Sequence, residues 1–127
     1  MEKLLSAALA VQKNAYCPYS KYQVGCALFG VDGQIYVGCN VENISFGLTI
    51  CAERNALAAM NAAGCRKFTE AVVVTRDGGT PCGACRQCLL EFAEDMNTVK
   101  IVCASEAGEK IVYTLVELIP NGFTSDL

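Results

Sequence analysis

The chain has 127 residues, 53% of them hydrophobic and only 18% charged, with a formal net charge of −3. That length suits one domain, residues 1–127, built round a single core, and so charge-poor a surface points to cover by other subunits. Ten Lys and Arg, outnumbered by thirteen Asp and Glu and forming no stripe, argue against nucleic acid or an anionic membrane as the partner, because phosphate neutralisation dominates such binding.

In chain order, Leu4, Leu5, Ala8, Leu9 and Gln12 fall near helical spacing, which predicts an amphipathic helix over 3–14 that ends at Cys17-Pro18-Tyr19-Ser20. This stretch carries an acidic residue and a short apolar run broken by Ser6, so it does not read as a signal peptide. Residues 24–30 and 34–39 are short strand-like runs joined by Val31-Asp32-Gly33, a hairpin signal. Residues 40–50 read as a polar loop. Residues 52–63 are rich in helix formers, and Gly64 stands where a stop is expected. The apolar run 71–75 suits a strand covered on both faces. A loop over 76–81 leads to a helix over 83–93. Strands over 99–104 and 110–113 and a short helix over 114–118 complete the pattern. Strands alternating with helices predict an α/β fold, with about five strands in one mixed sheet and helices packed on both faces.

Nine cysteines is an odd number, which rules out a fully paired disulfide framework. No run approaches the ~18 apolar residues of a membrane span, and the expected location is the reducing cytoplasm. There, clustered cysteines are more often ligands or nucleophiles than bridges. Two signals carry chemistry: Cys51-Ala52-Glu53 and Pro81-Cys82-Gly83-Ala84-Cys85, each at the start of a predicted helix. The positive end of a helix dipole stabilises the thiolate, which is the metal-ligating form. Cys82 and Cys85 lie three apart on one turn, and Cys51 supplies a third ligand if the two helix starts converge. Three protein ligands with one open position describe a catalytic zinc site. Glu53, two residues past Cys51, is placed to move protons between water and a substrate.

These motifs resemble the small homotetrameric cytidine deaminases of the three-cysteine zinc type, within the cytidine and deoxycytidylate deaminase superfamily. The similarity runs through Pro18-Tyr19-Ser20, Val24-Gly25, Gly38-Cys39-Asn40-Val41-Glu42-Asn43, Cys51-Ala52-Glu53-Arg54, Pro81-Cys82-Gly83-Ala84-Cys85-Arg86-Gln87, and Leu118-Ile119-Pro120 with Phe123. It implies one Zn²⁺ per chain on Cys51, Cys82 and Cys85. Its implied reaction is hydrolysis of cytidine and 2′-deoxycytidine at C4, as in pyrimidine salvage, with Glu53 protonating N3 and then the departing amine. It further implies that Asn40 and Glu42 hold ribose hydroxyls and that Tyr22 stands beside the substrate. The backbone at Ala52 would read the base edge, and Arg54 would balance the thiolate charge. Phe123 would stack on the base in a neighbouring subunit's site. The implied fold is the family's three-layer arrangement round a mixed five-stranded sheet.

The chain departs from that pattern at Phe46, where Tyr is common, and at Ile44, which is bulkier than expected. Cys88 offers either a fourth ligand that would close the site or core packing. Helical rise sets it about 4.5 Å further along, which favours packing. Cys17, Cys26, Cys39, Cys65 and Cys103 read most simply as small buried hydrophobes. Arg86 and Gln87 suit either solvent or subunit contacts. The competing functions are a deaminase of another cytosine compound such as blasticidin S, a non-catalytic structural zinc module, a thiol redox protein using Cys82 and Cys85, and a nucleic-acid editing deaminase.

Overall fold

A computed structural model of the chain describes residues 2–125. Its elements are α1 (Glu2–Gln12), β1 (Gly25–Gly30), β2 (Ile35–Cys39), α2 (Ala52–Ala62), β3 (Phe68–Thr75), α3 (Gly83–Phe92), β4 (Lys100–Ser105), β5 (Lys110–Thr114) and α4 (Leu115–Leu118). The predicted order holds throughout. A single 3₁₀ turn, Phe46–Leu48, lies within the segment read as a loop. The third strand begins at Phe68, three residues before its apolar run. Phe68-Thr69-Glu70 has no strand signature of its own and is recruited by pairing with Phe29 and Gly30 of β1 and with Lys100 of β4.

The five strands form one sheet in the order β2-β1-β3-β4-β5. Only β3 and β4 pair in parallel, with α3 as their crossover; the other pairs are antiparallel. Leu4 and Ala8 of α1 cover Ala27, Val72, Val74, Val102 and Ala104 on one face. Ala52, Ala56, Leu57 and Met60 of α2, Leu89 of α3, and Leu115 and Leu118 of α4 cover the other, against Cys26, Leu28, Ala71, Val73, Ile101 and Cys103. β3 lies at the centre of both layers. Its buried run is continuous because neither face meets water.

One glycine sets where α2 lies. A β-carbon at Gly38 would stand 2.3 Å from the Ala56 nitrogen and 2.6 Å from the Ala52 carbonyl oxygen. The first turns of α2 therefore rest directly on the β2 backbone, an approach that only glycine permits. Asn55 secures the same contact by donating to the Cys39 carbonyl at 2.8 Å.

Candidate active site

Cys51 is the N-cap of α2, and Cys82 is the N-cap of α3. Neither side chain caps its own helix, which leaves both sulfurs free to face one another. The Sγ atoms of Cys51, Cys82 and Cys85 lie within 4.8 Å of one another, the Cys51–Cys82 pair at 4.0 Å. Two sulfurs each about 2.3 Å from a tetrahedral ion stand about 3.8 Å apart, so the donor set fits one zinc ion per chain. Cys88 is outside the cluster. It packs from α3 toward the core and lines a separate groove with Arg54, Leu57 and Phe92.

The thiols share their protons unequally. Cys51 is lowered to about 5, chiefly by a bond from Cys85, with Arg54 and Cys82 adding to the effect. Cys85 is raised, first by that same bond and then by burial. The arrangement is a Cys85 thiol donating to a Cys51 thiolate, and metal binding would release that proton. Arg54 Nη2 donates to Cys51 Sγ at 3.5 Å, which offsets the charge that three thiolates would bring.

Glu53 is only 4% exposed although it sits on the first turn of a helix. It faces the sheet row Cys26–Val73–Cys103, which runs across three strands. Burial pushes its carboxyl up to about 7, and the Cys51 charge adds to the rise. A carboxyl poised near neutrality suits a group that both accepts and returns a proton. The two neighbouring thiols, Cys26 and Cys103, are raised mainly by burial, which agrees with their reading as small core residues.

Beside these groups opens a cleft of about 460 Å³, of a size that suits a small molecule. Tyr22, Asn40, Glu42, Cys51, Ala52, Glu53 and Cys82 all line it. The polar groups inferred from the resemblance are already partly occupied within the chain. Asn40 accepts from the Val24 amide at 2.9 Å and donates to the Tyr22 carbonyl at 2.8 Å. One N–H and one lone pair remain for a ligand. Glu42 accepts from the amides of Tyr19 and Ser20 at 3.0 and 3.1 Å and from the Ser20 hydroxyl. It thus ties the Pro18–Ser20 turn to the cleft as well as facing it.

Sequence reading missed part of the wall. Ser20, Thr49 and Thr75 line the same cleft. Thr75 Oγ1 accepts from the amides of Gly78 and Gly79 at 2.8 Å each, shaping the loop that delivers Cys82. The Tyr22 hydroxyl donates to Asp77 at 2.6 Å, and Arg76 lies 5.2 Å over its ring, so this aromatic wall is pinned to that loop. An Asp-Gly-Gly run after a strand is a turn signal, but nothing local says that Tyr22 meets it.

Phe123 does not enter its own chain's cleft: it lies in the tail with its side chain 84% exposed. Arg86 and Gln87, read as suiting either solvent or subunit contacts, both make hydrogen bonds within the chain. Arg86 donates to the Pro81 and Leu118 carbonyls at 2.7 Å each and to Thr80 Oγ1 at 2.8 Å. Gln87 pairs with the Phe123 backbone. Both therefore serve contacts within the chain, and the reason is that the tail returns across α3.

Three thiols at two helix starts, a buried carboxyl and a nucleoside-sized cleft on a three-layer α/β fold define a zinc-dependent hydrolase. Residues 1–104 match the family described as the cytidine and deoxycytidylate deaminase zinc-binding region. A cytidine deaminase of Sporosarcina psychrophila is 38% identical over 128 aligned positions, covering 99% of this chain and 93% of that protein. One of Halalkalibacterium halodurans is 39% identical, covering 98% and 95%. The crystal structure of cytidine deaminase from Burkholderia pseudomallei superposes with a TM-score of 0.89 at 41% identity, covering 96% of this chain and 98% of that one. The chain belongs to the cytidine and deoxycytidylate deaminase family.

Proposed function

We propose that this chain is a cytidine deaminase that hydrolyses cytidine and 2′-deoxycytidine to the corresponding uridines and ammonia, a step of pyrimidine salvage. The observation that carries this reading is the buried Glu53 carboxyl on the same helix start as Cys51, lining the cleft together with Cys51 and Cys82 of the three-thiol cluster. Cys51, Cys82 and Cys85 would hold zinc. Zinc, when bound, supplies Lewis acidity and lowers the pKa of water toward neutrality. Glu53 takes one proton from the attacking water and delivers it to N3; it then takes the second from the new C4 hydroxyl and passes it to the departing amine, so that the C4 carbonyl forms, the C–N bond breaks and ammonia leaves. Asn40 and the remaining acceptor capacity of Glu42 orient the ribose hydroxyls. The Ala52 backbone reads the base edge, Tyr22 flanks the substrate, and Arg54 steadies the Cys51 sulfur.

We further propose that the whole chain works as one domain in a cytoplasmic homotetramer. Ile44, Phe46, Leu48 and Phe123 are large, apolar and between 66% and 84% exposed, which supports cover by neighbouring copies. Among the described residues no helix is long and apolar enough to cross a membrane. Phe46 stacks edge-on against Tyr19 with 5.5 Å between ring centroids, so the residue standing in place of Tyr lines an adjoining pocket that shares Ser20, Glu42 and Thr49 with the cleft. We assign to Phe123 the role of the aromatic that completes a neighbouring copy's site, which its exposed ring supports.

The test is ultraviolet turnover of both nucleosides with and without a zinc chelator. Conversion that chelation abolishes supports the reading. Absence of turnover on either nucleoside, with one zinc per chain bound, refutes it.

A further inference from the structure

Phe123 is held at its backbone while its ring is left bare. Gln87 Nε2 donates to the Phe123 carbonyl at 2.7 Å, and the Phe123 N–H donates to Gln87 Oε1 at 3.2 Å. One amide side chain thus satisfies both backbone polar groups of one residue, much as a paired strand would. The segment before it is fixed to the same helix. Arg86 takes the Leu118 carbonyl at 2.7 Å, and a β-carbon at Gly122 would stand 2.5 Å from Leu90 Cδ2, so the tail lies flat on α3.

Ordering backbone costs about 1–2 kcal/mol per residue, and tails usually escape that cost by remaining loose. An 84% exposed ring returns almost no burial within one chain. The bracket makes sense if the ring's direction matters to something outside the chain. Gln87 also lies two residues past Cys85 on α3, so the tail is registered to the helix that carries the metal centre.

We propose that Gln87 is a positioning residue: its amide fixes the Phe123 backbone so that the ring reaches the substrate base in a second copy's cleft. This rests on the role given to Phe123 above. Gln87 itself touches no substrate and acts only through Phe123. Its loss therefore weakens substrate binding and leaves proton transfer by Glu53 intact, raising KM more than it lowers kcat.

The experiment compares zinc-loaded wild type, Q87M, F123A and the double variant, with cytidine as substrate. Methionine keeps the length and helix propensity of Gln87 and removes both hydrogen bonds. F123A is expected to raise KM about tenfold, the scale of one lost base–aromatic stack. Q87M is expected to raise KM about fivefold, at the scale of one or two hydrogen bonds, with unchanged zinc content and oligomeric state. In the F123A background, Q87M should change KM no further, because a residue that acts only through Phe123 has nothing left to position. Hydrogen exchange at the Phe123 amide should quicken in Q87M, which a contact limited to the helix surface would not produce. A Q87M effect that persists in full in F123A, or wild-type KM in Q87M, overturns the proposal and leaves the reading of Phe123 standing. Wild-type KM in F123A overturns the Phe123 assignment, and this inference with it.

Discussion

Replacing Gly38 with alanine tests whether the close seat of α2 on β2 builds the site. The added β-carbon would lie 2.3 Å from the Ala56 nitrogen, 2.6 Å from the Ala52 oxygen and 2.8 Å from the Asn55 carbonyl carbon. All three are backbone atoms of one helix, so no side chain can swing aside. Restoring ordinary contact requires the helix start to recede by roughly 1 Å. Two effects oppose each other. Alanine reduces the entropy of the unfolded chain, a gain of about 0.4–1 kcal/mol. Overpacking against a fixed backbone costs about 1–3 kcal/mol and outweighs it. The displaced helix start carries both Cys51 and Glu53, and a shift of about 1 Å at reacting groups costs roughly a hundredfold in rate. Thermal denaturation should show Tm lowered by roughly 5–10 °C. The ultraviolet assay should show kcat/KM for cytidine down by about two orders of magnitude in protein loaded with zinc. Wild-type Tm and kcat/KM in Gly38→Ala would refute the argument that this contact sets the site.

Glu53→Gln should keep stoichiometric zinc by metal analysis while kcat falls by about 10²–10⁴-fold, because the amide cannot relay a proton; full activity removes Glu53 from that role. Arg54→Ala deletes the donor to Cys51 Sγ and should weaken zinc binding by about 10–100-fold in a chelator competition. Cys85→Ala should lose zinc and lower Tm together, since binding energy is linked to folding; retained stoichiometric zinc would remove Cys85 from the site. The Ser20 hydroxyl and the amides of Ser20 and Tyr19 hold the Glu42 carboxyl below its ordinary value of 4.5. Its stabilising contribution is complete above that value and is lost as pH falls through the lowered one. Glu42→Gln should therefore flatten the acid limb of a Tm–pH profile, and an unchanged acid limb would count against the tie.

The metal site was legible because its signals are short. Cys51-x-Glu53 and Cys82-x-x-Cys85 place groups on single helix turns, and the local backbone alone fixes such spacings. The helices and most strand cores were legible for a similar reason, since periodicity and turn chemistry act over a few residues. Other features required the folded chain. The amide of Asn40 meets partners 16 and 18 residues away, the Tyr22 hydroxyl meets Asp77 across 55, and Gln87 meets Phe123 across 36. No local pattern encodes such pairs. They exist because packing closes those loops, and each polar group then takes the partner left within reach. Gly38 lies between these cases. A lone glycine in a strand hints at a close backbone approach, but only the seating of α2 on the sheet shows whose backbone arrives. Sequence thus determined which groups could do the chemistry. The tertiary structure decided how each is held, because position at this precision depends on contacts between segments that are distant along the chain.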